Sequence, residues 1–378
     1  MRSRSLITRA ALGVLALALL LPLGFSLWTN ASAAARVPEL RGGKEDWLNT
    51  TGPLSMASLL DGKHVVLVDF WEYTCVNCLR TLPYLQAWQK RYGPEGLVII
   101  GIHTPEFQFA REKANVKDAV KRLGITWPVL VDSNYENWNA YGNNVWPRKY
   151  LVDATGAVVY DHSGEGGYAE IEKRIQLALR QINPGRVFPL PVAPVRDTDR
   201  PGAVCYPMTP EVYAGYERGM LANGAGPDAR DAALTYRAPG AYPDGVVGLI
   251  GQWSWGPESV RHARTTKDLS DSVNLRYHAL EVNAVLKPED GKPLRVYVTQ
   301  DGKPLSRMDW GEDILTDDSG RPYLLVDTPR MYHVVKNHAF GSFTLTLASD
   351  SPAFGLYSYT FGSCQVPGKG LGRMGIGG

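Results

Sequence analysis

Charge of one sign is missing from this sequence. Lysine and arginine total 40 against 38 aspartates and glutamates, a formal net charge of +2 over 378 residues. A protein that neutralises many phosphates needs a stronger basic excess, so nucleic acid is excluded as a partner. Cysteine is scarce, at four residues. That is too few for a disulfide-dense mini-scaffold, and a chain of this length buries a core without one. No second CxxC and no HxxxH accompanies the single CxxC, so a zinc site lacks half of its ligands and no metal is expected. Glycine (39) and proline (26) stay well short of a collagen-like or low-complexity share. No internal repeat is present, and past the N-terminus no apolar run is long enough to span a bilayer. With 44% hydrophobic and 21% charged residues, global disorder is excluded. At about 100–200 residues per domain, two domains are expected.

What is there begins with a leader. Arg2, Arg4 and Arg9 precede an apolar run from Ala10 to Trp28, and Ala31-Ser32-Ala33-Ala34-Ala35 follows. A basic start, an apolar stretch and a small-residue site are the parts of a secretory signal. The arginines are not adjacent, so the twin-arginine type is not supported. Pro22 and Gly24 break the run and favour cleavage after Ala33 or Ala35. An uncleaved anchor with a cytoplasmic N-terminus is the alternative. Residues 1–35 are thus expected to be a signal peptide or membrane anchor, with the rest exported to the periplasm or cell envelope.

Residues 36–186 alternate strands with helices. His64–Phe70 and Leu97–His103 are β-branched runs with the look of buried strands, and Cys75–Tyr92 carries apolar residues at threes and fours. Further helices are expected at 114–123, 134–142 and 168–181, with short strands at 129–132, 149–153 and 157–160. This is an α/β layer pattern. Pro189, Pro191, Pro194 and Pro201 then mark a semi-rigid linker over 187–205. From 206 to 366 the text is strands and turns, with one short helix at 210–221, which predicts an antiparallel, jelly-roll-like β-sandwich. Residues 367–378 form a Gly-rich tail expected to be disordered.

Cys75-Val76-Asn77-Cys78 opens the first long helix directly after a strand. The first turn of a helix offers unpaired N–H groups and the positive dipole end, which stabilise a thiolate at Cys75. Cys78, one turn deeper, is placed to attack a mixed disulfide and release product. A structural disulfide and half a zinc site are the competing readings of the motif alone. His64 and His103 are isolated and read as strand or core residues.

Val68-Asp69-Phe70-Trp71, Cys75-x-x-Cys78 and Pro83 together resemble the thioredoxin active-site segment. That resemblance implies a thioredoxin fold, a central mixed sheet with flanking helices. It makes Asp69 the buried acid that takes and returns the Cys78 proton, with a strand-end capping role as the bland alternative. Trp71 would pack beside the dithiol and contribute to substrate binding. Val145-Trp146-Pro147-Arg148-Lys149-Tyr150 resembles the cis-proline segment, whose Trp146 and Pro147 would hold an extended substrate. The long stretch between His103 and Asn144 resembles the exported TlpA/ResA-like and peroxiredoxin-like branches. Trp71–Cys78, His103-Thr104-Pro105-Glu106-Phe107, 137–143, Trp146-Pro147 and 164–168 resemble the thioredoxin region of DipZ-type proteins over roughly residues 60–180. Those proteins carry a CcdA-like membrane electron carrier, which would make a CcdA- or DsbD-like protein the electron donor here.

Residues 209–216 and 359–362 resemble the second, carbohydrate-binding-module-like domain of the same proteins. Its Trp253, Trp255, Trp310 and Tyr332 could stack on a glycan, although large aromatics are more often core. Cys205 and Cys364 bracket this domain and are expected to form a structural disulfide.

Three functions are open: a thiol–disulfide oxidoreductase that reduces protein disulfides, a peroxiredoxin-like peroxide reductase, and a non-catalytic envelope or glycan-binding protein. A peroxiredoxin wants Thr three residues before the attacking cysteine, where this chain has Glu72. No cofactor beyond the Cys75–Cys78 pair is expected. Glu72 reads as a solvated surface residue; if it lay near Cys75 it would raise the thiol pKa and favour a reducing pair.

Overall fold

A computed structural model describes residues 36–366 apart from 225, 227 and 228. The expected leader and the Gly-rich tail lie outside the described residues. The described residues belong to one compact unit.

Strand β2 (Val65–Trp71) is buried along its whole length, as its continuous apolar run predicts for a central strand. It pairs in parallel with β3 (Leu97–His103), and β3 with β4 (Val129–Val131). On its other side β5 (Arg148–Val152) runs antiparallel, followed by β6 (Val158–Ser163). The short β1 (Trp47–Leu48) closes the far edge, giving the order β1-β4-β3-β2-β5-β6. This mixed sheet is the thioredoxin fold.

The period of two along β2 divides the core. Val66, Val68 and Phe70 join one apolar cluster with Ile100, Ile102 and Tyr150. Val65, Leu67 and Trp71 join another, beneath α1 (Val76–Tyr92) and α3 (Tyr168–Ile182). Asp69 has the parity of Leu67 and Trp71, so it points to the α1 side, beneath the dithiol. Between these helices in the chain comes α2 (Lys113–Arg122), which follows β3 and adds Val116, Ala119 and Val120 to the same cluster. Gly101 on β3 is required by packing: a Cβ there would sit 3.0 Å from Trp71 Nε1 and 3.1 Å from Trp127 Nε1.

The second half is a large antiparallel sheet that is sandwich-like but continuous. The strand Ser272–Pro288 pairs along its length with Arg330–Ala348. Its other edge is shared, first by Val247–Trp255 and then by Phe354–Gly362. Register shifts near Ala279 and Val282 bend the long pair, as bulges do. The helix expected over 210–221 is absent. Val212–Tyr213 is instead a short strand against Ser358 and Tyr359. Gly215 and Gly219 explain the difference: a Cβ on either would lie about 2 Å from neighbouring backbone, at Glu258 and Tyr213. Trp253, Trp255 and Tyr332 are buried core, as large aromatics more often are, and Trp310 is half-buried. Cys205 and Cys364 are direct cross-strand partners joined by a disulfide.

The two halves share a core. Val285, Met331 and Tyr357 of the second sheet belong to the apolar cluster beneath α1. Phe107 and Phe109 pack edge-on against Tyr357 at 5.4 and 4.8 Å. Arg80 on α1 bridges Glu165 and Glu281, each at 3.0 Å. Among the described residues, no helix is long and apolar enough to cross a membrane.

Candidate active site

Cys75 is the N-cap of α1, and its Sγ accepts the Cys78 backbone N–H at 3.3 Å. The helix start therefore delivers an N–H donor to the outer sulfur. The two cysteines are not bonded to each other; Cys75 is half-buried and Cys78 is 1% exposed. Burial pushes the Cys78 thiol well up, and its hydrogen bond with Cys75 and the charges of Cys75 and Asp69 push the same way. A hydrogen bond from the Glu72 backbone opposes them. The pair is thus asymmetric: an outer sulfur at a helix N-terminus, and an inner sulfur held as thiol until something takes its proton.

Asp69 is 2% exposed, and burial raises its carboxyl above the usual carboxylate range. Lys149 opposes that shift, with Nζ 3.1 Å from Asp69 Oδ1. The two are direct cross-strand partners on β2 and β5 and so share a face. Lys149 is itself 1% exposed. Sequence reasoning passed over it as part of the proline segment; the signal was a lysine leading directly into the apolar Tyr150-Leu151-Val152.

The Trp146–Pro147 bond is cis, as that segment's resemblance implied. Pro147 is buried and its carbonyl accepts Gly164 N–H at 2.8 Å. Trp146 is half-buried, with its ring 4.3 Å from that of Trp138. Trp71 does not fit the substrate-binding expectation. It is 1% exposed in the core, edge-on to His103 at 5.2 Å, where no substrate reaches it.

Glu72 departs from the surface expectation, while His103 is the buried strand residue that was expected. Both are fully buried, and His103 Nε2 lies 3.7 Å from Glu72 Oε1. The reason is register: Trp71 and His103 are partners at the ends of β2 and β3, so the next residue turns back over the sheet end. Thr74 N–H donates to Glu72 Oε2 at 2.6 Å, and the Thr74 hydroxyl donates to the same oxygen. Among the described residues, no group of three acidic, His or Cys side chains is arranged to hold a metal.

Residues 33–174 match the redoxin family model. That stretch is similar to the redoxins. Residues 209–362 match a model described as the thioredoxin-like C-terminal domain. The chain is similar to protein DipZ of Mycobacterium bovis, 36% identical over 271 residues that make up 71% of this chain and 36% of DipZ. It thus spans about a third of that relative's length. It is also similar to the thiol-disulfide oxidoreductase YkuV of Bacillus subtilis, 28% identical over 145 residues, 38% of this chain and 95% of YkuV. Among solved structures, a thioredoxin family thiol:disulfide interchange protein from Chlorobium tepidum is 26% identical, covers 39% of this chain and 97% of its own, and has a TM-score of 0.32.

Proposed function

We propose that this chain is an exported thiol–disulfide oxidoreductase that reduces protein disulfides. The observation that carries the reading is the asymmetric pair above a buried acid. Cys75 caps α1 and accepts an N–H, while Cys78 is sealed over Asp69 and Lys149. In this reading the Cys75 thiolate attacks a substrate disulfide and forms a mixed disulfide, releasing one substrate thiolate. Cys78 gives its proton to Asp69 and attacks Cys75 Sγ. The second substrate sulfur leaves as thiol with the proton that Asp69 returns, and the Cys75–Cys78 disulfide is formed. Trp146 and Pro147 border the site on the substrate side. Similarity to DipZ and YkuV supports the same chemistry, and the basic-apolar-small pattern of residues 1–35 supports export. Re-reduction would fall to a CcdA- or DsbD-like membrane donor.

The test is reduction of insulin disulfides by the dithiothreitol-reduced full chain, with Cys78→Ser alongside. We expect wild type to reduce insulin and Cys78→Ser to accumulate a mixed disulfide at Cys75. Absence of both, with Cys75 still open to alkylation, would refute the reading.

A further inference from the structure

Glu72 holds the Cys75 turn at both ends. Its carbonyl accepts the Cys75 N–H at 3.3 Å, and its carboxylate accepts the Thr74 N–H at 2.6 Å. The remaining carboxylate oxygen has no hydrogen-bond partner and faces His103, neither of whose ring nitrogens has a partner. His103 is fixed between Trp71, edge-on, and Tyr73, stacked at 5.3 Å. Three residues on, Glu106 receives Tyr213 Oη–H at 2.8 Å and an Arg218 N–H at 2.9 Å, both from the second domain. Burial and then the charge of Glu72 push the Glu106 carboxyl up, which places the two acids in one electrostatic group. Glu211, exposed beside Tyr213, adds a third carboxylate, and Arg122 acts on Tyr73 from the α2 side.

We propose that Glu72 is a positioning residue that limits thiolate formation at Cys75, and that Arg218 of the second domain opposes it across the domain boundary. A buried carboxylate three residues before the N-cap repels the thiolate that the helix start attracts. Less stabilisation of the reduced, thiolate form makes the dithiol a stronger reductant. Arg218 brings positive charge to the same acids from outside the redoxin fold. This inference rests on the oxidoreductase reading.

The test uses the full chain. The Cys75 thiol is titrated by the pH dependence of its alkylation rate, and the pair is equilibrated with dithiothreitol buffers. Glu72→Gln keeps the shape and removes the charge. It is expected to make alkylation at pH 6 about tenfold faster and to move the dithiol–disulfide constant about tenfold toward dithiol, ~30 mV less negative. Arg218→Met is expected to shift both in the opposite direction, by about threefold, since Arg218 acts through Glu106 and is partly solvated. A merely structural Glu72 would lower the melting temperature and leave the alkylation profile in place. Should Glu72→Gln not fold, Arg218→Met decides alone, because its side chain is 39% exposed and its loss leaves no cavity. Wild type that exchanges while the folded variants keep its profile overturns this inference alone. Wild type that never exchanges overturns the oxidoreductase reading and this inference with it.

Discussion

Lys149→Met removes the cation that faces Asp69 in the redoxin core. The two are 3.1 Å apart with side chains 1% and 3% exposed, so water screens them little. At that distance and an effective dielectric of about 20, unit charges attract by about 5 kcal/mol. Breaking a buried pair by removing one partner costs about 3–5 kcal/mol. Asp69 can limit the loss by keeping its proton. Its carboxyl is already raised by burial with Lys149 pulling it down, and without the ammonium it rises further. A carboxyl raised on folding stays protonated where the unfolded chain has ionised. Its favourable contribution is complete below the unfolded value of about 3.9 and is lost as pH rises toward the folded value, at about 1.4 kcal/mol per pH unit. At low pH the raised Asp69 carboxyl holds its proton more readily than in the unfolded chain and wild type buries an ammonium with less charge to pair it, so Lys149→Met should lose less stability at pH 4 than at pH 7.5. At pH 7.5 the variant should be about 3 kcal/mol less stable. Urea unfolding followed by tryptophan fluorescence at the two pH values measures both. An equal loss at pH 4 and pH 7.5 would show that Lys149 acts by packing and not by charge.

Asp69→Asn keeps the volume and removes the proton acceptor. Resolution of the Cys75 mixed disulfide should slow by about 100-fold at pH 7 and recover at alkaline pH, where Cys78 ionises unaided; quenched-flow alkylation follows it. Glu172 is 1% exposed and receives Trp88 Nε1–H, Tyr92 Oη–H, Arg91 and the Val192 N–H of the Pro-rich segment. Glu172→Gln should cost about 3 kcal/mol in urea unfolding, because donors that faced a carboxylate then face an amide, and should leave the dithiol potential in place. In the second sheet, Asp271 is held well below the usual carboxylate range by hydrogen bonds from Arg264, the Gln252 N–H and His262, which outweigh its desolvation. A lowered carboxyl contributes stability above its unfolded value and loses it as pH falls through the folded one. Asp271→Asn should therefore remove about 2 kcal/mol at pH 7 and less at pH 2, measured by thermal unfolding across that range.

The dithiol, the buried acid and the α/β order were legible because each is local. CxxC after an apolar strand marks a helix start, and the parity of Asp69 among Leu67 and Trp71 fixes its face. Lys149 and Glu72 were not legible in the same way. Their burial depends on register between strands 80 residues apart in sequence and on a turn at a sheet end, and neither leaves a periodic trace. In the second domain, turn pairs marked the strands, but not that Ser272–Pro288 bends and shares one edge between two partners. The missing helix over 210–221 shows the same limit. Helical composition there yields to Gly215 and Gly219, whose close backbone contacts come from Pro257 and Glu258, distant in sequence, and from Tyr213, where the chain turns back. Aromatic residues that could have met a sugar are spent on the core.

The most direct measurement is a redox titration of the full chain in graded dithiothreitol buffers, with thiols trapped by alkylation and mapped by mass spectrometry. A reversible two-electron transition is expected at Cys75 and Cys78, near −250 mV or below as in thioredoxin-like reductants, with Cys205–Cys364 remaining bonded across that transition. A midpoint near −120 mV would mark an oxidant and contradict the proposed direction. A Cys75–Cys78 pair that does not exchange at all would contradict the oxidoreductase itself.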